Sequence, residues 1–227
     1  MFQAVIFDMD GTLLDTERLA LEAWGEAARR LNIDVGYDVL LRTVGRDGHD
    51  TRKIILEAVG NAQDVDALDA LTHEIHRNHL EAGAPVKRGA RDLLERLRAA
   101  GIPMVLATST PRGGAEYRLR KVGLWECFAD AACGDEVKQG KPFPDIFALA
   151  AQRCGIPPVR CAAVEDSPAG VRAAKGAGMA VVMIPDLAVP DDATRALADF
   201  VAADLNEASE WIFERLDSSK EETPCKR

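Results

Sequence analysis

Ala4-Val5-Ile6-Phe7-Asp8-Met9-Asp10-Gly11-Thr12-Leu13-Leu14-Asp15-Thr16 is the stretch whose reading decides the fold. Four apolar residues, Ala4 to Phe7, predict a short strand buried on both faces, as in a parallel sheet covered by helices. The run stops at two carboxylates one residue apart, and then at Gly11. Ligands of parallel α/β sheets bind at the carboxyl ends of the strands, so Asp8 and Asp10 are expected on the floor of a site. Two acids this close repel one another unless a positive group stands near them. A hard divalent cation with oxygen ligands, Mg²⁺ by default, answers that need. A carboxylate at a strand end can also be a nucleophile that forms an aspartyl-phosphate. Gly11 permits a turn that other residues resist, and Thr12 can hold it by a local hydrogen bond.

Beyond Thr16 the period changes from strand to helix. Leu19, Ala20, Ala23, Trp24, Ala27, Ala28 and Leu31 fall on one helical face, with Asp15 or Thr16 as the cap. Helical patches follow around Val39–Val44 and Thr51–Val59, and Val65, Leu68, Leu71 and Ile75 mark another amphipathic helix. No strand is expected before Gly83. A wholly helical block after a single strand breaks βαβ alternation, so residues 16–86 are expected to be an inserted helical domain. Residues 1–15 and 87–217 form the expected α/β core, and the polar residues 218–227 a flexible tail. The α/β rhythm resumes at Gly89, with strands expected at Met104–Ala107, Ala129–Cys133, Cys161–Val164, Ala180–Ile184 and Phe200–Ala202. The expected fold class is α/β, a Rossmann-like three-layer core with a parallel sheet plus an inserted helical bundle.

The chain of 227 residues has room for such a pair, and 47% hydrophobic with 29% charged residues describes an ordinary globular protein. A net charge of −9 argues against a nucleic-acid partner, which needs a basic face. A phosphate substrate remains compatible, because a metal and a few local cations can dominate one cleft. No run is long enough to span a bilayer, and no secretory signal is expected, because the first apolar run is short and ends at Asp8. Five cysteines without a C-x-x-C pair suit reduced thiols, and a cytoplasmic location is expected.

The strand ends converge on one task. Asp8 and Asp10 end the first strand, Thr108 and Ser109 the second, and Glu165-Asp166 a later one; Lys141 lies in the turn-rich Lys138–Pro142. Phosphoryl transfer needs positioning and charge stabilisation, and this set supplies both. Asp8 and Asp166 would hold the metal, Lys141 would add positive charge, and Thr108 with nearby N–H groups would hold oxygens. Asp8 would attack in line, and Asp10 would protonate the leaving alcohol and then take a proton from water. Taken singly, each residue has a plainer role: strand-end hydroxyls, a solvated lysine, acids favouring a helix N-terminus.

In that combination and order the chain resembles the haloacid dehalogenase superfamily over nearly its whole length. The four motifs are Asp8-Met9-Asp10-Gly11-Thr12, the strand Met104–Thr108, Gly140-Lys141-Pro142, and Glu165-Asp166 before Ser167-Pro168-Ala169-Gly170. The helical insert resembles the superfamily's small cap, closest to the branch of β-phosphoglucomutase and sugar-phosphate phosphatases. The resemblance implies a Mg²⁺-dependent aspartyl-phosphate mechanism with a cap that opens and closes. It places Asp8, Asp10, Glu165 and Asp166 around the metal, Thr108, Ser109 and Lys141 on phosphate, and Arg46 of the cap on substrate.

The expected function is hydrolysis of a small phosphorylated metabolite, a sugar or polyol phosphate. A phosphosugar mutase is the alternative, but Ala20 stands where the resemblance puts the mutases' cap histidine. Dehalogenases and phosphonate hydrolases of the superfamily lack an acid at the position of Asp10, so both are disfavoured, and Lys53 is read as a solvated lysine rather than a Schiff base. A non-catalytic binding protein would not need an intact motif set. His73, His76 and His79, with His49 nearby, swing across the helix surface and are read as solvated or core-edge residues rather than a zinc site. Specificity is expected around Leu19–Trp24 and Thr43–Asp47, whose side chains name no particular substrate; oligomeric state is not readable.

Overall fold

The computed structural model describes residues 1–44, 48–187 and 189–216. Arg46, Cys225 and the expected tail from Ser218 lie outside the described residues. The apolar runs become β1 (Ala4–Phe7), β2 (Met104–Thr108), β3 (Asp130–Cys133), β4 (Cys161–Glu165), β5 (Ala180–Met183) and β6 (Phe200–Val201). Among the described residues they form one six-stranded sheet in the order β3-β2-β1-β4-β5-β6. Every adjacent pair is parallel; Val5 of the central strand faces Met104 on one side and Ala162 on the other. The chain winds outward from β1 through β2 to β3, then returns past β1 to β4. The strand order reverses at β1, which puts a crevice at its carboxyl end.

Helices α1 (Thr16–Leu31), α2 (Tyr37–Leu41), α3 (Gly48–Val59) and α4 (Ala62–Ala82) fall between β1 and β2. The same connection ends in α5 (Ala90–Ala99); later connections carry α6 (Arg112–Lys121), α7 (Asp145–Cys154), α8 (Pro168–Gly176) and α9 (Asp192–Leu197), and α10 (Leu205–Phe213) follows β6. Because side chains alternate along a strand, β1 feeds both sides of the sheet. Ala4 and Ile6 pack with Phe147 of α7 and Val171 of α8, whereas Val5 and Phe7 pack with Leu94 and Leu97 of α5 and Ile212 of α10. All four β1 residues have zero exposure, so the unbroken apolar run is explained by a helix layer on each face.

The helices of the insert bury a separate cluster, with Leu21, Trp24, Leu40, Ile55, Leu68 and Ile75 inside it. The chain enters and leaves this block through two paired segments. Asp15 N–H donates to Pro85 O at 2.8 Å, Lys87 N–H donates to Leu13 O at 2.9 Å, and Leu14 bridges Val86 in antiparallel sense. Lys87 ties this crossing to the sheet side, with Nζ 2.5 Å from Asp186 Oδ1 and 3.6 Å from Asp15 Oδ1. Asp15 does not cap α1 through its side chain; it pairs with Arg18 at 3.0 Å instead.

Ser167 caps α8 as expected, its Oγ accepting from Gly170 N–H at 3.0 Å, with Pro168 at the first helical position. Helices α9 and α10 were not foreseen; α10 opens on Asp204, whose carboxylate accepts from Asn206 and Glu207 N–H. No helix among the described residues is long and apolar enough to cross a membrane. Cys127, Cys133 and Cys161 are free thiols, as expected.

Beyond the end of β3, Glu136 is gripped by two arginines, Arg153 at 2.8 Å and Arg112 at 3.0 Å. Hydrogen bonding from Arg153 holds its carboxyl down to about 2, against partial burial and with help from Arg112. A depressed carboxyl contributes stability above its ordinary value and loses it as the pH falls through the folded one. Glu136→Gln should therefore be less stable than the wild type above pH 4.5, and the difference should close as the pH approaches 2; urea midpoints across that range are the measurement.

Candidate active site

The carboxyl ends of β1, β2 and β4 meet in a cleft of about 160 Å³ lined by Asp8, Asp10, Ser109, Lys141, Asp166 and Ser167. Glu17 and Val44 close it from the insert, and Asp186 and Leu187 from the loop after β5. At the floor is a buried charge cluster. Lys141 Nζ lies 2.5 Å from both Asp8 Oδ1 and Glu165 Oε1. Its side chain and that of Asp8 are each 7% exposed, and Glu165 is fully enclosed.

The chain conformation around the cluster has a physical cause at each point. Gly11 has φ +82°, and a Cβ there would fall on the Asp166 carboxylate, so both the turn and the close approach require glycine. Thr12 does more than the local bond expected of it. Its Oγ1 donates across the cleft to Asp166 Oδ1 at 3.2 Å, joining β1 to β4. Glu165 Oε2 accepts from Asp166 N–H at 3.0 Å, Ser167 N–H at 2.9 Å and Ser167 Oγ at 2.9 Å. With Lys141 on Oε1, both Glu165 oxygens are engaged, and this carboxylate acts as the anchor that aims Lys141 at Asp8.

One ammonium group serves three carboxylates, and the electrostatics show the deficit. Burial acts to lower Lys141, but the charges of Asp8 and Glu165 outweigh it and hold the lysine above its usual range. Burial pushes Asp8 up to about 7; Lys141 opposes the rise, while Glu165 and Asp10 add to it. Burial, then the charges of Glu165 and Asp8, raises Asp166 well above the carboxylate range. Asp8, Glu165 and Asp166 can each offer an oxygen within 4.8 Å of the others. All-oxygen donors, close spacing and missing positive charge fit a hard divalent cation. Asp8 and Asp166 are the better pair to hold it, since Glu165 is already saturated.

Asp10 turns its side chain elsewhere. Its carboxylate is not in the cluster, because Thr110 Oγ1 donates to Oδ2 at 2.7 Å and Arg118 Nη1 donates to Oδ1 at 2.9 Å. Thr108 and Ser109 divide as well. Thr108 is fully buried and its Oγ1 accepts from Thr110 N–H at 3.1 Å, holding the turn, while Ser109 is exposed and lines the cleft. Thr110 and Arg118 were missed by sequence reasoning. Thr110 belongs to the polar strand end already noted, but no local pattern marks Arg118. Lys53 lies on the insert's surface beside Arg42 and Glu57, away from this cleft. His73 faces Asp69 at 3.6 Å and His79 faces Glu26 at 3.8 Å, so these two turn to different partners.

The profile of the haloacid dehalogenase-like hydrolases matches residues 2–178. The chain belongs to the haloacid dehalogenase-like hydrolases. Similar to it is a phosphorylated carbohydrates phosphatase of Thermotoga maritima, 36% identical over 177 residues, covering 78% of this chain and 82% of that protein. The (DL)-glycerol-3-phosphatase 2 of Arabidopsis thaliana is 37% identical over 189 residues, covering 80% of this chain and 79% of its own. A crystal structure from Thermotoga maritima, provisionally named a β-phosphoglucomutase, shares 32% identity at a TM-score of 0.80, over 95% of this chain and 100% of that one. The six-stranded parallel core of this haloacid dehalogenase-like hydrolase is thus the family's fold, as the motifs implied.

A Cβ at Gly170 would overlap the Glu165 carboxylate. Gly170→Ala should displace the anchor of Lys141 and cost on the order of 1–3 kcal/mol, the usual range for overpacking. Denaturant titration reads the stability loss. An accompanying fall in turnover would show that Glu165 positions the lysine.

Proposed function

We propose that this hydrolase is a Mg²⁺-dependent phosphatase of small phosphorylated sugars or polyols that works through an aspartyl-phosphate on Asp8. The observation that carries the reading is the buried Asp8 carboxylate held by Lys141 and set beside Asp166. The similar proteins named for phosphorylated carbohydrates and for glycerol 3-phosphate support the substrate class.

An oxygen of Asp8 attacks the phosphorus in line. The bond from phosphorus to the alcohol oxygen breaks, and Asp10 gives that oxygen its proton. Water then attacks the phosphorus, Asp10 takes the water's proton, and the bond to Asp8 breaks to release phosphate. Lys141 balances the charge of the transferring oxygens, and Ser109 offers a hydroxyl at the cleft wall. Thr108 supports the turn that carries Ser109. Mg²⁺, held by Asp8 and Asp166 with Glu165 behind them, would offset negative charge on the phosphoryl group. Residues 16–86 serve as the cap and residues 1–15 and 87–217 as the core, and the cap's substrate contact is assigned to Arg46 by the resemblance alone.

The provisional name of the structural neighbour favours a second reading, a phosphosugar mutase. That reaction uses the same nucleophile with a sugar hydroxyl in place of water. Ala20 at the mutase histidine's position counts against it.

Release of inorganic phosphate from a panel of phosphate esters with Mg²⁺ present separates the two, since a mutase would return an isomerised ester. Asp8→Asn should lower turnover at least about 10³-fold while circular dichroism stays unchanged. Asp10→Asn should lower kcat/KM about 10²–10⁴-fold on alkyl esters. On p-nitrophenyl phosphate the loss should be smaller, because that leaving group departs with little need of a proton. Full activity of Asp8→Asn would overturn the nucleophile assignment.

A further inference from the structure

Asp10 has to reach the departing alcohol oxygen, yet both of its oxygens are engaged by Thr110 and Arg118. Arg118 is not among the residues that line the catalytic cleft. With His76, Arg77, Leu80, Glu81 and Tyr117 it lines a second cleft of about 640 Å³ between α4 and α6. The volume is that of a small-molecule site, and the catalytic cleft of about 160 Å³ is too small to take much beyond a phosphoryl group. Two guanidinium groups, those of Arg77 and Arg118, line the α4–α6 cleft beside the Glu81 carboxylate. Its other fittings suit a hydroxylated ligand: Tyr117 offers an aromatic face, and His76 Nε2 is buried without a hydrogen-bond partner.

We infer that the α4–α6 cleft is a subsite for a carboxylate carried on the leaving part of the substrate, and that Arg118 passes its hydrogen bond from Asp10 to that carboxylate. The group Arg118 already holds is a carboxylate, so the ligand replaces it in kind. The exchange frees Asp10 Oδ1 to face the ester oxygen. Binding of the right substrate thereby completes the acid, and the benefit appears in kcat/KM. Asp10 must lie within one hydrogen bond of the ester oxygen, and Arg118 lies within one of Asp10. The carboxylate therefore sits on the order of 5 Å or more from the ester oxygen, the reach of an extended three-carbon skeleton. This inference rests on the phosphatase reading and on Asp10 as its acid.

The test compares kcat/KM for glycerate 3-phosphate and glycerol 3-phosphate, esters of similar primary alcohols that differ in the carboxylate. The wild type should prefer the glycerate ester by about 10-fold or more, the scale of one charge-assisted hydrogen bond. In Arg118→Met the ratio should fall toward one, and Arg118→Lys should retain part of it. The ratio cancels any general loss caused by disturbing Asp10. As a readout independent of turnover, glycerate alone should raise the melting temperature of the wild type and not that of Arg118→Met. Hydrolysis of both esters without discrimination, or a preference that survives Arg118→Met, overturns this inference and leaves the phosphatase reading standing. Hydrolysis of neither ester, or of any other in the panel with Mg²⁺, overturns the phosphatase reading and this inference with it.

Discussion

Three carboxylates, Asp8, Glu165 and Asp166, are buried around a single ammonium group, that of Lys141. Buried charge is costly unless it is paired and hydrogen-bonded, and here the pairing is incomplete. Much of the local chain serves to contain that cost. Glu165 is met by Lys141 on one oxygen and by the N–H groups of Asp166 and Ser167, just ahead of α8, on the other, where the helix dipole also favours a negative charge. Gly11 and Gly170 are small because carboxylates occupy the space a side chain would take. What stays unneutralised is Asp8 with Asp166, and that residue of negative charge makes the site receptive to a cation.

The sheet delivers these groups to one place at little expense. Parallel strands share an end, so residues more than a hundred positions apart in the chain arrive together without special loops. That regularity is also why the central part of the site was legible in the sequence. Each participating strand is a short apolar run that stops at a polar residue: Asp8 after Phe7, Thr108 after Ala107, Glu165 after Val164. Lys141 was legible because it sits in a turn-rich stretch just ahead of a helix.

Other features were hidden for an equally physical reason. Arg118 reads as one basic residue among several on α6, and its partner Asp10 lies 108 positions earlier. Nothing local announces a bond of that span. The same is true of Lys87, which looks like linker filler and proves to join Asp15 to Asp186. Thr12 and Asp15 were read by their local habits, a turn hydroxyl and a helix cap; Thr12 proves to bond Asp166 across the cleft, and Asp15 to pair with Arg18 and Lys87. Helices α9 and α10 escaped because they are short, six and nine residues, and give a helical period little room to show. Histidines spaced three apart on α4 drew notice as a pattern, but the helix turns them to separate neighbours.

The paired crossing at Leu13–Asp15 and Pro85–Lys87 has a consequence for how such a protein could have arisen. The two ends of the helical block leave the sheet side by side, linked by backbone hydrogen bonds. Closing so narrow a gap with a short loop carries a modest entropic penalty. An ancestor could have gained, lost or exchanged the entire block at this seam without breaking a single rung of the parallel ladder. The chemistry at the strand ends and the block that overhangs it were thus free to diversify at different rates.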